Sequence, residues 1–303
     1  MKFFFVIIFT CISILRTNAQ KKQFIYYFDS NLNSTESSNA VLVGKGMQDS
    51  GLLKLDCFSK KEGILLIKMN FTDSSLSVLQ GLFQTFYRSG QIESEGSYFN
   101  NLKEGTWMNY DSTGSKTDSL NFNKDQLVSS ATYIYWENKM LRQKLFVDTG
   151  LNHYLSDNFT SKGILESRAE SFGDKGSVIL YKGTETKVRP LSTVEKIPAE
   201  FPGGHNKFKN YLINNINTSP IRVKIKPGNY VTVVNFTVEK NGELSDITTE
   251  NGIGYGFEED LIKVIKNSPL WAPATQLGIP LKYKIRQPVA FTYYEGFLRY
   301  IIQ

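Results

Sequence analysis

The residue types that carry most protein chemistry are scarce in this chain. It has two histidines, His153 and His205, in 303 residues. A zinc site needs His and Cys grouped at short spacings, and neither histidine has a cysteine beside it at such a spacing. A serine hydrolase needs a base within reach of its nucleophile, and no G-x-S-x-G occurs. The stretch Gly252-Ile-Gly-Tyr-Gly256 falls between an expected strand and an expected helix, the setting of a phosphate-binding turn. Its spacing is not G-x-G-x-x-G. Glu258, Glu259 and Asp260 occupy the first helical turn, where they satisfy the positive end of the helix dipole and repel a phosphate. The expectation is a non-enzymatic protein with no catalytic residue, no cofactor and no metal.

Two strips remain that could recognise a partner. Arg222-Val-Lys-Ile-Lys226 and Lys282-Tyr-Lys-Ile-Arg286 alternate basic with apolar residues, which in a strand puts three cations on one face. Such a face is either a solvated surface, a guard against unwanted strand pairing, or a patch for an acidic partner. The stretch Glu200-Phe-Pro-Gly-Gly-His-Asn-Lys-Phe208 reads as the start of a helix, with Asn206 as N-cap and His205 facing water.

The elements that would position these strips belong to an ordinary globular composition, 41% hydrophobic and 21% charged. Thirteen per cent is aromatic, with 16 Tyr and 21 Phe, which suits half-buried strands. Lys2, the apolar run Phe3–Leu15 and Thr17-Asn-Ala19 read as a secretory signal peptide over residues 1–19. Its removal takes Lys2 and Arg16 with it, so the formal charge of +6 falls to +4, too little to suggest a nucleic-acid partner. Cys11 leaves too, and Cys57 is then alone, with no internal disulfide. The expected location is beyond the inner membrane, in the periplasm or on the envelope.

A unit of about 24 residues recurs between residues 58 and 172. Phe86-Tyr-Arg-Ser-Gly90 returns as Tyr110-Asp-Ser-Thr-Gly114 and Phe159-Thr-Ser-Lys-Gly163, with Asn138 in the glycine's place at Tyr135-Trp-Glu-Asn138. Turn glycines joining short strands with aromatics on one side describe stacked hairpins. Residues 176–193 read as a linker. Beyond it come a helix from about Asn206, a strand Tyr230–Val238, a turn Lys240-Asn-Gly242, a strand Glu243–Thr249, an amphipathic helix Phe257–Asn267 and a long strand Leu281–Tyr293.

Two resemblances follow from these residues. The pattern Gly81, Tyr87, Gly90, Gly96, Tyr98, Gly105, Trp107, Tyr110, Gly114 resembles the MORN-type repeat of the bacterial YwqK antitoxin-like group, over residues 55–175. A plain antiparallel meander is the other reading of that stretch. The run Phe236, Gly242, Leu244, Asp246, Gly252, Gly254, Glu259, Leu261, Pro269-Leu-Trp-Ala-Pro273, Gly278-Ile-Pro280 and Pro288-Val-Ala-Phe291, opened by Phe201-Pro-Gly-Gly204, resembles the TonB C-terminal domain over residues 194–295. The first resemblance implies a scaffold or interaction surface. The second implies an α+β domain, a three-stranded antiparallel sheet with two helices on one face, after a mainly-β repeat domain over 20–175. It also implies recognition of an extended segment of an outer-membrane TonB-dependent receptor, or another envelope protein, by strand addition. The implied edge is Leu281, Lys282, Tyr283, Lys284, Ile285 and Arg286, with an acidic envelope polymer as a second partner for its cations. A full transducer keeps an N-terminal membrane helix and a Pro-rich spacer. This chain has a cleavable-looking leader, nine prolines and a repeat domain in the spacer's place. The alternative is therefore an envelope adaptor that uses the repeat sheet as its surface without transducing energy.

Overall fold

The repeat strands mix apolar and aromatic residues with polar ones, and the chain satisfies its backbone by pairing each strand with the next. The structure, a computed structural model, describes residues 23–219, 224–294 and 297–302. The signal peptide expected over 1–19 lies outside the described residues, as do Arg222 and Val223. No helix among the described residues is long and apolar enough to cross a membrane. Fourteen strands, β1 (Gln23–Phe28) to β14 (Glu185–Pro190), form one sheet whose strand order is the chain order. The chain divides into two units. One reaches to Lys116 and includes Asn121–Gln126; the other comprises Thr117–Leu120 and everything from Leu127.

In the first unit, the repeat is built on glycines with distinct tasks. Gly90 and Gly114 have φ of 87° and 84° and close three-residue turns in which Tyr87 and Gln91, or Asp111 and Ser115, meet through the backbone. Asn100-Asn101 and Lys124-Asp125 make the opposite turns with both residues left-handed, the two-residue hairpin geometry that suits twisted strands. Three strands carry the best copy of the repeat: β5 (Leu79–Phe86), β6 (Ile92–Phe99) and β7 (Leu102–Tyr110). Gly105, at φ 67°, lies where the β6–β7 register shifts. Beyond that bulge the Trp107 ring lies over Gly96, so close that a Cβ there would sit 2.1 Å from it. The indole N–H donates to the Ser97 carbonyl at 3.2 Å, and Phe83, Tyr98 and Phe122 surround the ring. Tyr87 ties one repeat to the next, its hydroxyl donating to the Tyr110 carbonyl at 2.8 Å. A separate apolar cluster holds Leu53, Leu55, Cys57, Met69 and Phe71.

In the second unit the sheet continues through β11 (His153–Phe159), β12 (Leu165–Phe172), β13 (Lys175–Lys182) and β14. The linker expected over 176–193 is instead β13, β14 and a 3-10 turn, Leu191–Thr193. Its glycines and prolines mark a turn and strand ends: Gly183 has φ 63°, and Pro190 closes the edge strand. In the Trp136–Met140 turn the left-handed residue is Lys139 at 62°, not Asn138. The Asn138 side chain caps that turn, accepting from the Met140 N–H and donating to the Ser161 carbonyl.

Then come α1 (Gly204–Asn215), β15 (Gly228–Val238), β16 (Leu244–Glu250), α2 (Phe257–Lys266), the short β17 (Ala274–Gln276) and β18 (Ile279–Leu281), β19 (Tyr283–Tyr294) and β20 (Phe297–Ile302). The sheet order is β16-β15-β19-β20. It has four strands where three were expected, because the chain turns back after Tyr294 and pairs Val289–Tyr294 with Phe297–Ile302. The core-facing positions of β15 and β19, among them Val234, Phe236, Val289 and Phe291, share one cluster with Phe208 and Leu212 of α1 and with Phe257, Leu261 and Ile265 of α2. Trp271 sits in this cluster against Phe201, Phe208 and Phe236. Gly203, at φ 82°, starts α1 without a side-chain cap, so Asn206 is a helical residue and not the N-cap.

Candidate functional site

Strand β19 is paired unevenly on its two sides. Along its whole length it pairs with β15, from Val238↔Tyr283 to Gly228↔Tyr293. On its other side β20 covers Val289 to Tyr294 only. Among the described residues, no strand pairs with the outer side of Tyr283–Arg286. Sequence reasoning placed the edge at Leu281–Arg286, and the structure divides those residues. Tyr283, Lys284, Ile285 and Arg286 are in β19. Leu281 belongs to β18, paired with Ala274, and Lys282 lies between the two strands. Pro280 sits inside the short hairpin, which ends one residue before the long strand begins.

Beside this open stretch is a groove of about 180 Å³ lined by Ala199, Glu200, Phe201, His205, Ile285 and Gln287 among others. Its apolar floor comes from Phe201, Phe208 and Trp271. Glu200 is held there by a backbone pair with Ala272, 2.9 Å in each direction. Sequence reasoning missed the groove, because Phe201 and Trp271 read only as family markers. Their burial on the core side of the open edge could not be seen in spacing. His205 is exposed, as expected, and lines the rim. The Gln287 side-chain amide donates to the Pro288 carbonyl at 2.8 Å, and Pro288 has no N–H to offer, so the open edge is closed off chemically at its β20 end.

The cations are arranged less regularly than the sequence implied. Lys284 and Arg286 are exposed on one face of β19. Arg286 donates to Glu250 at 2.9 Å, and Asn235 reaches the same carboxylate at 2.8 Å. These two hydrogen bonds, Arg286 first, hold the Glu250 carboxyl below its ordinary pKa. Lys282 pairs with Glu239 at 3.0 Å, and this bond raises the lysine's pKa. Lys284 makes no ion pair among the described residues. Of the first basic strip, the described residues Lys224–Lys226 lie in a turn and coil.

The Gly252–Gly256 turn behaves as its charges dictate. The Glu258 carboxylate accepts from the Ile253 N–H and from the Gly254 N–H, the latter at 3.0 Å. The turn's own acid fills the position an anion would take. His153 stacks on Phe172 with centroids 4.2 Å apart, and its Nε2 is 2.8 Å from Glu170. Glu170 is the one metal-ligating type beside it, and no group of three His, Cys, Asp or Glu residues that could hold a metal ion occurs among the described residues.

The β17–β18 hairpin is the least expected part. Leu277 and Gly278 form its two-residue turn with φ of 49° and 84°. Its tip meets the face of the repeat sheet within the second unit. The Leu277 carbonyl accepts from the Gln143 amide at 3.0 Å and from the Ser156 hydroxyl at 2.6 Å. Ile279, 3% exposed, packs against Ala169, Val178 and Leu191. Lys240 adds a bond to the Gly173 carbonyl at 2.8 Å and an ion pair with Asp174 at 3.3 Å. The sequence matches no family model and no curated protein.

Proposed function

We propose that the C-terminal module is a non-enzymatic protein-binding module of the TonB type, which adds an extended segment of an outer-membrane receptor to the open edge of β19. The observation that carries this reading is that, among the described residues, no strand pairs with the outer side of Tyr283–Arg286, which lies beside an apolar groove. Backbone groups on that side offer affinity, and the groove offers a place for one side chain, which sets register. The periplasm is the compartment this requires. The stretch Tyr283–Arg286 is four residues long, so the added strand is short and stops before β20.

A second reading, an envelope adaptor without energy transduction, is favoured by one observation. The β17–β18 hairpin is bonded to the repeat sheet through Gln143, Ser156 and Lys240, so the binding module is held to a scaffold instead of hanging from a spacer. Both readings use the same edge. A photo-crosslinking residue at Lys284, and as control at Thr248 on β16, tests it in cells carrying the full chain. Crosslinks to one outer-membrane receptor from position 284 alone, lost when a peptide of the crosslinked segment competes, support the proposal. Equal crosslinking from both positions, or none from 284, sinks it.

A further inference from the structure

Where the hairpin meets the repeat sheet, within the second unit, a cleft of about 500 Å³ stays open. One wall is the β12–β13 turn with the 3-10 turn that follows β14; the other is β18 with Lys240 and Lys282. Its floor is apolar, with Leu191 and Ile279 both buried. Its lining is mainly basic: Lys175, Lys196, Lys240 and Lys282 against the carboxylate of Asp174, with Lys240 paired to Asp174 and Lys282 to Glu239 just outside the cleft. Lys240 is fixed, 13% exposed, by Gly173, Asp174 and the Tyr154 ring 5.1 Å away. Lys196 makes no ion pair among the described residues.

A second observation points the same way. Two buried side-chain polar atoms lack a hydrogen-bond partner among the described residues, Ser171 Oγ and Arg189 Nε. Ser171, 4% exposed, lines the cleft, and Arg189 precedes Pro190, which lines it too. They flank β13 on either side, Ser171 opposite Gly176 and Arg189 opposite Val178, on the same face of the sheet. Both can donate, and native proteins rarely leave buried donors unmatched. Gly176 keeps the space free: a Cβ there would come within 2.8 Å of the Ser171 Cβ and 3.1 Å of Leu191. We propose that this cleft binds a small organic anion, a phosphate or carboxylate on a short apolar body. The lysines and Ser171 take the charged end, and Leu191 and Ile279 take the body. A cation would find one carboxylate and four ammonium groups, and a neutral apolar ligand would leave the donors unmatched.

The test is calorimetric titration of the full chain, at low salt, with hexyl phosphate, inorganic phosphate and a long-chain polyphosphate. Hexyl phosphate should bind saturably and more tightly than inorganic phosphate. Lys196→Gln, at an exposed position, should weaken it about tenfold, the loss of one charge-assisted bond. Ser171→Ala should weaken it a few-fold while leaving the thermal midpoint unchanged or higher, since it removes an unmatched donor. No saturable binding at millimolar hexyl phosphate overturns the proposal. So does unchanged affinity in either variant, or binding of polyphosphate alone.

Discussion

The repeat's glycine pattern makes a quantitative prediction at Gly96. Its φ lies outside the left-handed region, so a side chain there meets no backbone penalty. In a strand, an added methyl should help by about 0.5–1 kcal/mol through reduced chain entropy. What opposes it is the Trp107 ring, 2.1 Å from the position of the new Cβ. Trp107 is 4% exposed, and a buried tryptophan covers on the order of 150–250 Å². At about 25 cal/mol per Å² that is roughly 4–6 kcal/mol, and compact unfolded chains lower it to about 3–4 kcal/mol. Lifting the ring far enough to admit a methyl forfeits part of this burial and strains the N–H bond to Ser97, so Gly96→Ala should cost about 2–3 kcal/mol. With Trp107→Ala already in place, the same substitution should be neutral or stabilising. The coupling between the two sites is then about 3 kcal/mol, at the top of the range for contacting residues. Native-state hydrogen exchange of the β6 and β7 amides in the full chain reads this locally and avoids assuming that two units unfold together. If Gly96→Ala is harmless with Trp107 present, or equally costly without it, the assignment of Gly96 as the seat of the indole is wrong.

Three further outcomes follow from the packing and the charges. Ile279→Ala should cost about 2–4 kcal/mol, read as faster exchange at β17, β18 and the β12–β13 turn, because Ile279 fills the contact between hairpin and sheet. Burial, with Asp56 adding to it, pushes the Cys57 thiol up to about 12, so an alkylating reagent should leave it untouched in the folded chain at pH 8, while the unfolded chain reacts. The sign for stability is unfavourable at high pH: the unfolded thiol ionises near 9 and the folded one does not, so wild type should lose about 1.4 kcal/mol per pH unit between roughly 9 and 12 relative to Cys57→Ala. The Glu250 carboxyl should titrate below the ordinary glutamate range by NMR, and Arg286→Gln should move its midpoint up, since Arg286 is the larger of its two hydrogen-bond causes. Its contribution is present above the ordinary range and lost as pH falls through the lowered midpoint.

What the sequence disclosed and what it hid divide along one physical line. Turn chemistry is local, and it was legible: Gly90 and Gly114 announce their turns because little else is at ease at φ near +85°. The α2 boundaries and the acid at the Gly252–Gly256 turn were legible for the same reason, since Glu258 lies within five residues of the amides it binds. The error at Asn138 was a local misreading by one position: Asn tolerates a positive φ, but here its side chain caps the turn and the adjacent Lys139 takes the strained backbone. The stretch 176–193 failed differently. Its prolines and glycines suit a linker equally well, and only pairing with β12 turns it into sheet.

The candidate sites depend on contacts of long sequence separation, and there the pattern was silent. Leu277 meets Gln143 and Ser156, 134 and 121 residues away. In the sequence, Gly278-Ile-Pro280 carried meaning only as part of a resemblance. In the structure it is the tip of a hairpin whose carbonyl takes two donors from the repeat sheet. That contact explains why Leu281 and Lys282 are not part of the open edge. A hairpin committed to the sheet face must end before β19 can begin, so the open stretch starts at Tyr283, and β20 covers the strand from Val289. The start of the open stretch of β19 and the attachment of the hairpin to the repeat sheet are thus set by neighbouring residues of one segment. A change that loosens Ile279 should therefore alter the edge at Tyr283, four residues on, before it alters the distant end of β19, and exchange rates along that strand can show the gradient.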